Sequence, residues 1–326
     1  MNLLVTGGAG FIGSNFIHYW IKNHPKDKVI NLDKLTYAGN LNSLSSIEAN
    51  PNYSFVKGDI KDKKLVDELA SKVDTVVHFA AETHVDRSIL GPEEVIMTNV
   101  VGTGVLLEAA RKYDLRLHHI STDEVFGSLE LDSNERFNEQ TPYDPKQPYS
   151  AAKAGSDMLV RAYYETYGVK TTISNCSNNY GPYQHPEKLL PKSIINILTG
   201  KKIPMMKTST AVRDWLFVED HCKAIDLIIS NGKLGETYCI GGDSEIPLKE
   251  FIEKVCKLMN VEFEDTVEIV PDRKSHDLRY AIDHTKITKE LGWKPSVKFE
   301  DGLKLTIDWY KENESWWKDL VEDKLY

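Results

Sequence analysis

Residues 2–13 read N-L-L-V-T-G-G-A-G-F-I-G, a short apolar run followed by a glycine-rich turn and the opening of a helix. Gly7, Gly10 and Gly13 keep the T-G-x-x-G-x-x-G spacing, which lets backbone N–H groups and a helix N-terminus approach a pyrophosphate. A second apolar run, Val29 to Leu32, ends at Asp33, twenty residues after Gly13. A carboxylate at that distance can hydrogen-bond the adenosine ribose 2′-hydroxyl, and its charge would repel a 2′-phosphate. The pattern predicts an α/β fold, a Rossmann-type doubly wound parallel sheet, that takes NAD rather than NADP.

Working outward, strand and helix alternate as a parallel sheet requires. Helices are expected over Phe11 to Lys22, Lys61 to Ser71, Pro92 to Tyr113 and Tyr149 to Tyr167, the last ended by Gly168. Strands are expected over Tyr53 to Val56, Thr75 to Ala81, from Leu117, and over Lys170 to Asn175. Asp59, just past the third strand, also suits a helix N-cap. Residues 129–148 carry Pro142, Pro145 and Pro148 and few apolar anchors, so they read as an ordered surface loop. Beyond Asn175 the texture becomes irregular, with short helices near Leu189 to Leu198, Val218 to Ile229, Leu248 to Met259 and Phe299 to Asn313. The expected division is a dinucleotide-binding domain over 1–175, rejoined by about 218–241, and a smaller interleaved α/β substrate-binding lobe over 176–217 and 242–326.

The chemistry is concentrated in L-H-H-I-S-T-D-E-V-F-G at 117–127 and Tyr149-Ser-Ala-Ala-Lys153. Polar residues at a strand end are where open α/β sheets keep their reactions. Tyr149 and Lys153 share one helix face, and an adjacent ammonium is expected to lower the phenol from about 10 toward neutrality, making Tyr149 a general base. On its own, Y-x-x-x-K also describes an amphipathic tether, and an acidic pair such as Asp123-Glu124 a solvated turn. For both acids to face one substrate the strand must break after Thr122, because neighbouring side chains in a strand point to opposite faces. Gly127 is compatible with that break.

Composition narrows the class. With 326 residues, 41% of them hydrophobic, the chain can bury one large core or two moderate ones. A net charge of −9 disfavours a general nucleic-acid binder. Cys176, Cys222, Cys239 and Cys256 lack C-x-x-C spacing, which fits reduced core thiols better than a metal site or a disulfide framework. No basic-then-apolar leader opens the chain and no run approaches eighteen apolar residues, so a cytoplasmic protein without a membrane partner is expected. The helix from Pro92 carries more apolar residues than one sheet face needs, which predicts a helix-to-helix contact in a homodimer.

Several longer motifs resemble the dTDP-glucose 4,6-dehydratase family within the extended short-chain dehydrogenases/reductases. They are D-K-L-T-Y-A-G-N-L at 33–41, A-A-E-T-H-V-D-R-S at 80–88, S-T-D-E-V-F-G at 121–127, N-C-S-N-N-Y-G-P-Y at 175–183, R-D-W-L-F-V-E-D-H at 213–221 and R-Y-A-I-D at 279–283. The resemblance covers nearly the whole chain. It implies NAD contacts from Gly7, Gly10, Phe11, Ile12 and Gly13, from Asp33, Lys34, Leu35 and Thr36, and from Asp59 and Ile60 at the adenine. Ala80, Ala81, Thr98, Tyr149, Lys153 and Asn179 complete that set. For a nucleoside-diphosphate hexose it implies Thr83, His84, Asn178, Lys188 and Leu189, with Pro204, Met206, Arg213, Ser244, Arg273 and His276 toward the nucleotide. No metal is implied.

The implied reaction assigns Tyr149, aided by Lys153 and Thr122, to the hexose 4-hydroxyl, Glu124 to the proton on carbon 5 and Asp123 to the departing 6-hydroxyl. The alternatives are a UDP-glucose 4,6-dehydratase, a nucleotide-sugar 4-epimerase, which carries no such acids, and a non-catalytic NAD-sensing protein. The chain departs from the family at Ser244, where Asn is usual, at Lys274-Ser275 in place of Pro-Gly, before R-D-W, where a Gly-containing turn is usual, and at Phe126, where Tyr is usual.

Overall fold

The computed structural model describes residues 1–207, 210–271 and 277–322. Among them the strands are β1 (Asn2–Thr6), β2 (Lys28–Asp33), β3 (Tyr53–Lys57), β4 (Thr75–His78), β5 (Arg116–Thr122), β6 (Lys170–Cys176), β7 (Asn178–Tyr180), β8 (Ile203–Met206), β9 (Val212–Phe217), β10 (Thr237–Ile240), β11 (Glu245–Pro247) and β12 (Val267–Val270). Seven of them form one parallel sheet in the order β10-β6-β5-β4-β1-β2-β3. The chain winds outward from β1 in both directions, so the strand order reverses between β1 and β4. A crevice opens at such a reversal, beyond the carboxyl ends of the strands.

Layering explains the sequence texture of this half. β4 is buried along its whole length, and the sheet is covered on both faces, which is why its central strands read as continuous apolar runs. On one face Phe16, Ile17 and Trp20 of the helix Phe11–Asn23 meet Val218, Ile225 and Ile229 of the helix Val218–Asn231. On the other, Leu106, Leu107 and Val160 pack over Leu4, Val76 and Leu117. The helix Val218–Asn231 and β10 return to the first sheet, where β10 pairs with β6.

A second core lies between the sheet β11-β9-β7, the pair β12-β8 and the helices Leu189–Leu198, Leu248–Met259 and Phe299–Glu312. Trp215 and Phe251 stack there at 4.1 Å between ring centroids. Truncating such a ring to Ala costs about 3–5 kcal/mol. The helix Glu314–Glu322 closes this core: Trp316 and Trp317 are buried and donate to the Ser43 hydroxyl and the Tyr310 carbonyl. The C-terminal segment is therefore packed as far as Val321.

Three local expectations need correction. The long helix from Pro92 is interrupted, because Pro92–Ile96 passes into a π-turn over Met97–Gly102 before Thr103–Tyr113 resumes as α-helix. The absence of a side chain at Gly102 explains the close packing there, since a Cβ would come within 2.4 Å of Ile60 Cδ1. Second, the strand expected over Thr75 to Ala81 stops at His78, and V-D-R-S farther on opens a short helix, Val85–Leu90, on which His84 Nδ1 accepts from the Arg87 N–H at 3.4 Å. Third, the segment before Pro148 is better anchored than its composition suggests. Leu129 and Phe137 are buried, bridge to Arg279 and Ile282, and Phe137 stacks on Phe126 at 5.2 Å.

Among the described residues no helix is long and apolar enough to cross a membrane, and no cluster of His, Cys, Asp and Glu has the makings of a metal site. All four cysteines are buried and unpaired.

Candidate active site

The turn after β1 is built for a close approach. Gly7 has φ +71°, and a Cβ on it would fall 2.6 Å from Ala80 N; one on Gly13 would fall 2.4 Å from Gly7 O. Gly10 caps the helix Phe11–Asn23 with no side-chain bond to its first turn, so the leading N–H groups remain available to an anion. Asp33, at the end of β2, accepts the Ala9 N–H at Oδ2 (2.9 Å) and the Leu35 N–H at Oδ1 (2.8 Å). Burial pushes its carboxyl up, and these two bonds oppose the rise. Each oxygen keeps a free lone pair for a ribose hydroxyl. Gly7, Gly10, Gly13 and Asp33 line one cavity, and together they fit a dinucleotide.

Around the rim of that cavity, Lys34 Nζ lies 3.0 Å from Asp59 and 3.3 Å from Glu94, and Lys61 Nζ lies 3.0 Å from Glu94. Burial alone would raise Asp59, but the Lys61 N–H and the Lys34 ammonium more than offset it and hold the carboxyl below its ordinary value. The π-turn brings Thr98 to the cavity wall and turns Asn99 inward. Asn99 accepts the Glu82 N–H at 2.8 Å and donates to the Glu82 carbonyl at 3.0 Å, fixing the loop that carries Ala80, Ala81 and Thr83 past the cavity. π-turns are often found at functional sites, and this one sets the loop.

At the other end of the cavity β5 gives way to a 3₁₀ turn, Asp123–Phe126. Thr122 caps it: its Oγ1 accepts the Glu124 N–H at 3.3 Å and donates to Asp123 Oδ1 at 3.2 Å. Gly127, at φ +85°, ends the turn. The break lets both acids line the same cavity as Tyr149 and Lys153. Burial, then Glu124 and Asp214, raise Asp123 well above the usual carboxylate range, which favours its protonated form. Burial raises Glu124 to about 7, with Arg213 and Lys188 holding it down. Two adjacent carboxyls are thus pushed apart, one an acid and one a base near neutrality.

The expected effect of Lys153 on Tyr149 is not what the structure shows. Burial, followed by the charges of Glu124, Cys176 and Asp123, raises the Tyr149 phenol well above 10. The ammonium points elsewhere: Lys153 Nζ donates to the Ile120 carbonyl at 2.6 Å and lies 3.3 Å from His119 Nε2. Burial brings Lys153 itself down to about 8. The i, i+4 spacing places both side chains on one face but says nothing about how much water each loses.

Of the residues predicted to bind substrate, Thr83, Asn178 and Lys188 line the cavity beside the acids. Leu189 follows Lys188 as the first residue of the helix Leu189–Leu198. His84 Nε2 faces Glu187 at 3.5 Å. Pro204 and Met206 lie apart on β8. Arg213, on β9, stacks on the Tyr280 ring at 4.3 Å and donates to the Val212 and Asp277 carbonyls. Ser244 sits before β11, where its N–H meets Asp214 at 2.9 Å. Arg273 and His276 lie outside the described residues. Sequence reading missed Asp157, His119 and Glu187. The placement of Asp157 four residues after Lys153 was the available signal for the first.

The chain matches the family model described as GDP-mannose 4,6 dehydratase over residues 4–306. It is 52% identical over 323 residues to the dTDP-glucose 4,6-dehydratase of Mycobacterium tuberculosis (strain ATCC 25618 / H37Rv), covering 99% of this chain and 97% of that one. The chain belongs to the dTDP-glucose 4,6-dehydratase family. Two solved dTDP-glucose 4,6-dehydratases share its fold. The enzyme from Bacillus anthracis str. Ames, in complex with NAD, has a TM-score of 0.92 at 48% identity, covering 98% of this chain and 99% of that one. The enzyme from Streptomyces venezuelae with NAD bound has a TM-score of 0.95 at 46% identity, covering 98% and 100%. The likeness to these dTDP-glucose 4,6-dehydratases spans the sheet with its glycine-rich turn and the smaller core alike.

Proposed function

We propose that the protein is a hydro-lyase that uses NAD to convert dTDP-glucose into dTDP-4-keto-6-deoxyglucose. The observation that carries this reading is the capped break at Thr122, which sets Asp123 and Glu124 in one cavity with Tyr149 and Lys153. A 4-epimerase has no use for a second acid and base at this point. NAD, when bound, accepts the hydride from carbon 4 of the hexose and gives it back at carbon 6.

The residues of the chain supply the proton chemistry. Tyr149 removes the proton of the 4-hydroxyl as its phenolate, a form that burial disfavours and that the positive charges of Lys153, on the same face of the helix, and of bound NAD would have to support. The resulting 4-ketone acidifies the hydrogen on carbon 5, and Glu124 takes it. Asp123, held protonated by burial and by its neighbour, protonates the 6-hydroxyl as the carbon–oxygen bond breaks and water leaves. Glu124 then returns its proton to carbon 5. Tyr149 ends one proton richer and Asp123 one poorer, so a proton must pass between them, directly or through solvent, before the next turnover.

Residues 1–175 with about 218–241 hold the cofactor in this reading, and 176–217 with 242–326 hold the nucleoside diphosphate. Lys188 and Arg213 meet the diphosphate charge, and Asn178 grips it from the cavity wall. The functional unit is a homodimer. Ile96, at the end of the helix Pro92–Ile96, Met97 and Val101, in the π-turn that follows it, and Met158, on the neighbouring helix, are large apolar side chains exposed to solvent in the single chain, which supports a shared helical face. A cytosolic location suits four buried cysteines that form no disulfide.

Incubation with dTDP-glucose tests the reading. The product should be lighter by one water and carry a ketone at carbon 4. A product of unchanged mass would assign the protein to the epimerases instead.

A further inference from the structure

Asp157 is fully buried in the helix Pro148–Tyr167, one turn beyond Lys153. Its Oδ2 accepts from Ser121 Oγ at 2.8 Å, from the Tyr143 hydroxyl at 2.9 Å and from Asn175 Nδ2 at 3.3 Å. Its Oδ1 lies 3.2 Å from His119 Nε2, the nitrogen that is also 3.3 Å from Lys153 Nζ. Asn175 Nδ2 in turn donates to the Thr122 carbonyl at 3.0 Å, and Lys153 to that of Ile120 at 2.6 Å. One carboxylate therefore reaches His119 and Ser121 directly, Thr122 through Asn175, and Ile120 through His119 and Lys153 in turn. Those four residues lead straight into the acid pair.

A buried carboxylate survives only where its charge is met. The groups around it can be named element by element. On its own helix stand Lys153, Tyr149 and Arg161, whose guanidinium donates to the Tyr143 hydroxyl at 3.0 Å. From β5 comes His119, with Asp123 and Glu124 just beyond the strand end; from β4 His78, from β6 Cys176, and from the segment before Pro148 Tyr143. Burial and the Lys153 charge push His119 down to about 4, so it is neutral. Arg161 acts only through the Tyr143 hydroxyl. Lys153 is the buried cation nearest to Asp157 in effect, and the two groups meet at His119 Nε2, which lies 3.3 Å from Lys153 Nζ and 3.2 Å from Asp157 Oδ1, rather than by a direct bond.

We propose that Asp157 is the counter-ion of Lys153 and a positioning residue for the reacting end of β5. It keeps the ammonium charged in a dry site and holds residues 119–122 so that Asp123 and Glu124 enter the cavity. The proposal rests on the reading of Tyr149 and Lys153 as the catalytic base and its partner, but part of its test needs no sugar nucleotide.

Asp157→Asn keeps the shape and removes the charge. Losing the anion makes the ammonium of Lys153 harder to keep and the phenolate of Tyr149 easier to form, so both groups titrate lower. Both limbs of the kcat pH profile for oxidation at carbon 4 should therefore move to lower pH by about one unit. Tyr143→Phe removes one donor but leaves the charge, and its limbs should stay in place. A lower rate with unmoved limbs in Asp157→Asn would reduce Asp157 to a purely structural role and overturn the proposal.

The second arm is thermal unfolding of the parent, Asp157→Asn, Lys153→Met and the double variant. A counter-ion pair predicts that the double variant is less destabilised than the sum of the single ones, because neither leaves an unmatched charge behind. If Asp157→Asn does not fold by itself, adding Lys153→Met should restore folding. Additive effects, or failure of both variants to fold, would overturn the pairing whatever the substrate proves to be.

Discussion

Asp33 Oδ2 accepts the Ala9 N–H at 2.9 Å, which joins the end of β2 to the glycine-rich turn after β1. The same carboxylate thus shapes the turn and faces the place where an adenosine ribose would lie. Purified protein should carry its cofactor, and heating should release NAD or NADH into the supernatant. Asp33→Ala should lose at least about tenfold in retained cofactor, since it removes charge-assisted bonds each worth roughly 1.5–3 kcal/mol. Absorbance and enzymatic assay of the supernatant measure both. Steady accumulation of NADH in proportion to product would contradict a cycle that returns its hydride.

The two acids should separate by mutation and by pH. Glu124→Gln should leave oxidation at carbon 4 detectable while slowing water loss by roughly 100-fold or more. Tyr149→Phe should suppress both steps. Glu124 works as a base, and burial sets it at about 7, so elimination should rise with pH through that value. It should fall again where Asp123 loses the proton that its buried position preserves. Single-turnover measurement of hydride transfer and of water loss across pH separates the two. If Glu124→Gln dehydrates at the parent rate, another group is the base.

How far the sequence carried these conclusions depends on what each feature requires. The glycine spacing and Asp33 were legible because backbone approach and a ribose contact need particular residues at particular intervals. The break after Thr122 followed from strand geometry once both acids were required to face one substrate, a requirement that the family resemblance supplied. Strand order did not follow, since it depends on packing between elements distant in the chain. The π-turn at Met97–Gly102 was hidden because its residues keep an apolar helical texture, and only the fit of Gly102 against Ile60 reveals it. Asp157 looked like an ordinary polar helix residue until the helix was laid against β5. The sign of the Tyr149 shift was misread for a related reason: a spacing rule counts the nearby ammonium and omits the loss of water.

Quaternary structure can be tested at single side chains. Val101 and Met158 are 41% and 48% exposed, on the two helices that cover one face of the sheet. If those helices pair with their counterparts in a second copy, they should cross at about 20°, as in a four-helix bundle. Val101→Glu or Met158→Glu would then bury a charge in an apolar contact and shift the parent dimer to monomer without unfolding it. Light scattering with circular dichroism reads both properties. A parent protein that is monomeric at micromolar concentration would end the dimer proposal.

The departures from the family are expected to act on the choice of base. Thymine differs from uracil by one methyl, and a hydrophobic pocket distinguishes a single methylene by about 1–3 kcal/mol, or roughly 10–200-fold. Ser244, where relatives usually carry Asn, turns its hydroxyl onto the Gly242 carbonyl at 3.2 Å, which spends its donor within the chain. An Asn there would reach farther and keep an amide free for the nucleotide. The expected result is that dTDP-glucose has the higher kcat/KM, that UDP-glucose is turned over measurably, and that the ratio falls within that range. Ser244→Asn should lower KM for dTDP-glucose and leave kcat unchanged, because Ser244 lies away from the cavity that holds Tyr149, Asp123 and Glu124. Steady-state kinetics with the two glucoses, on the parent and on this variant, decide the matter. A kcat/KM for UDP-glucose equal to or above that for dTDP-glucose would move the protein to the UDP-sugar branch.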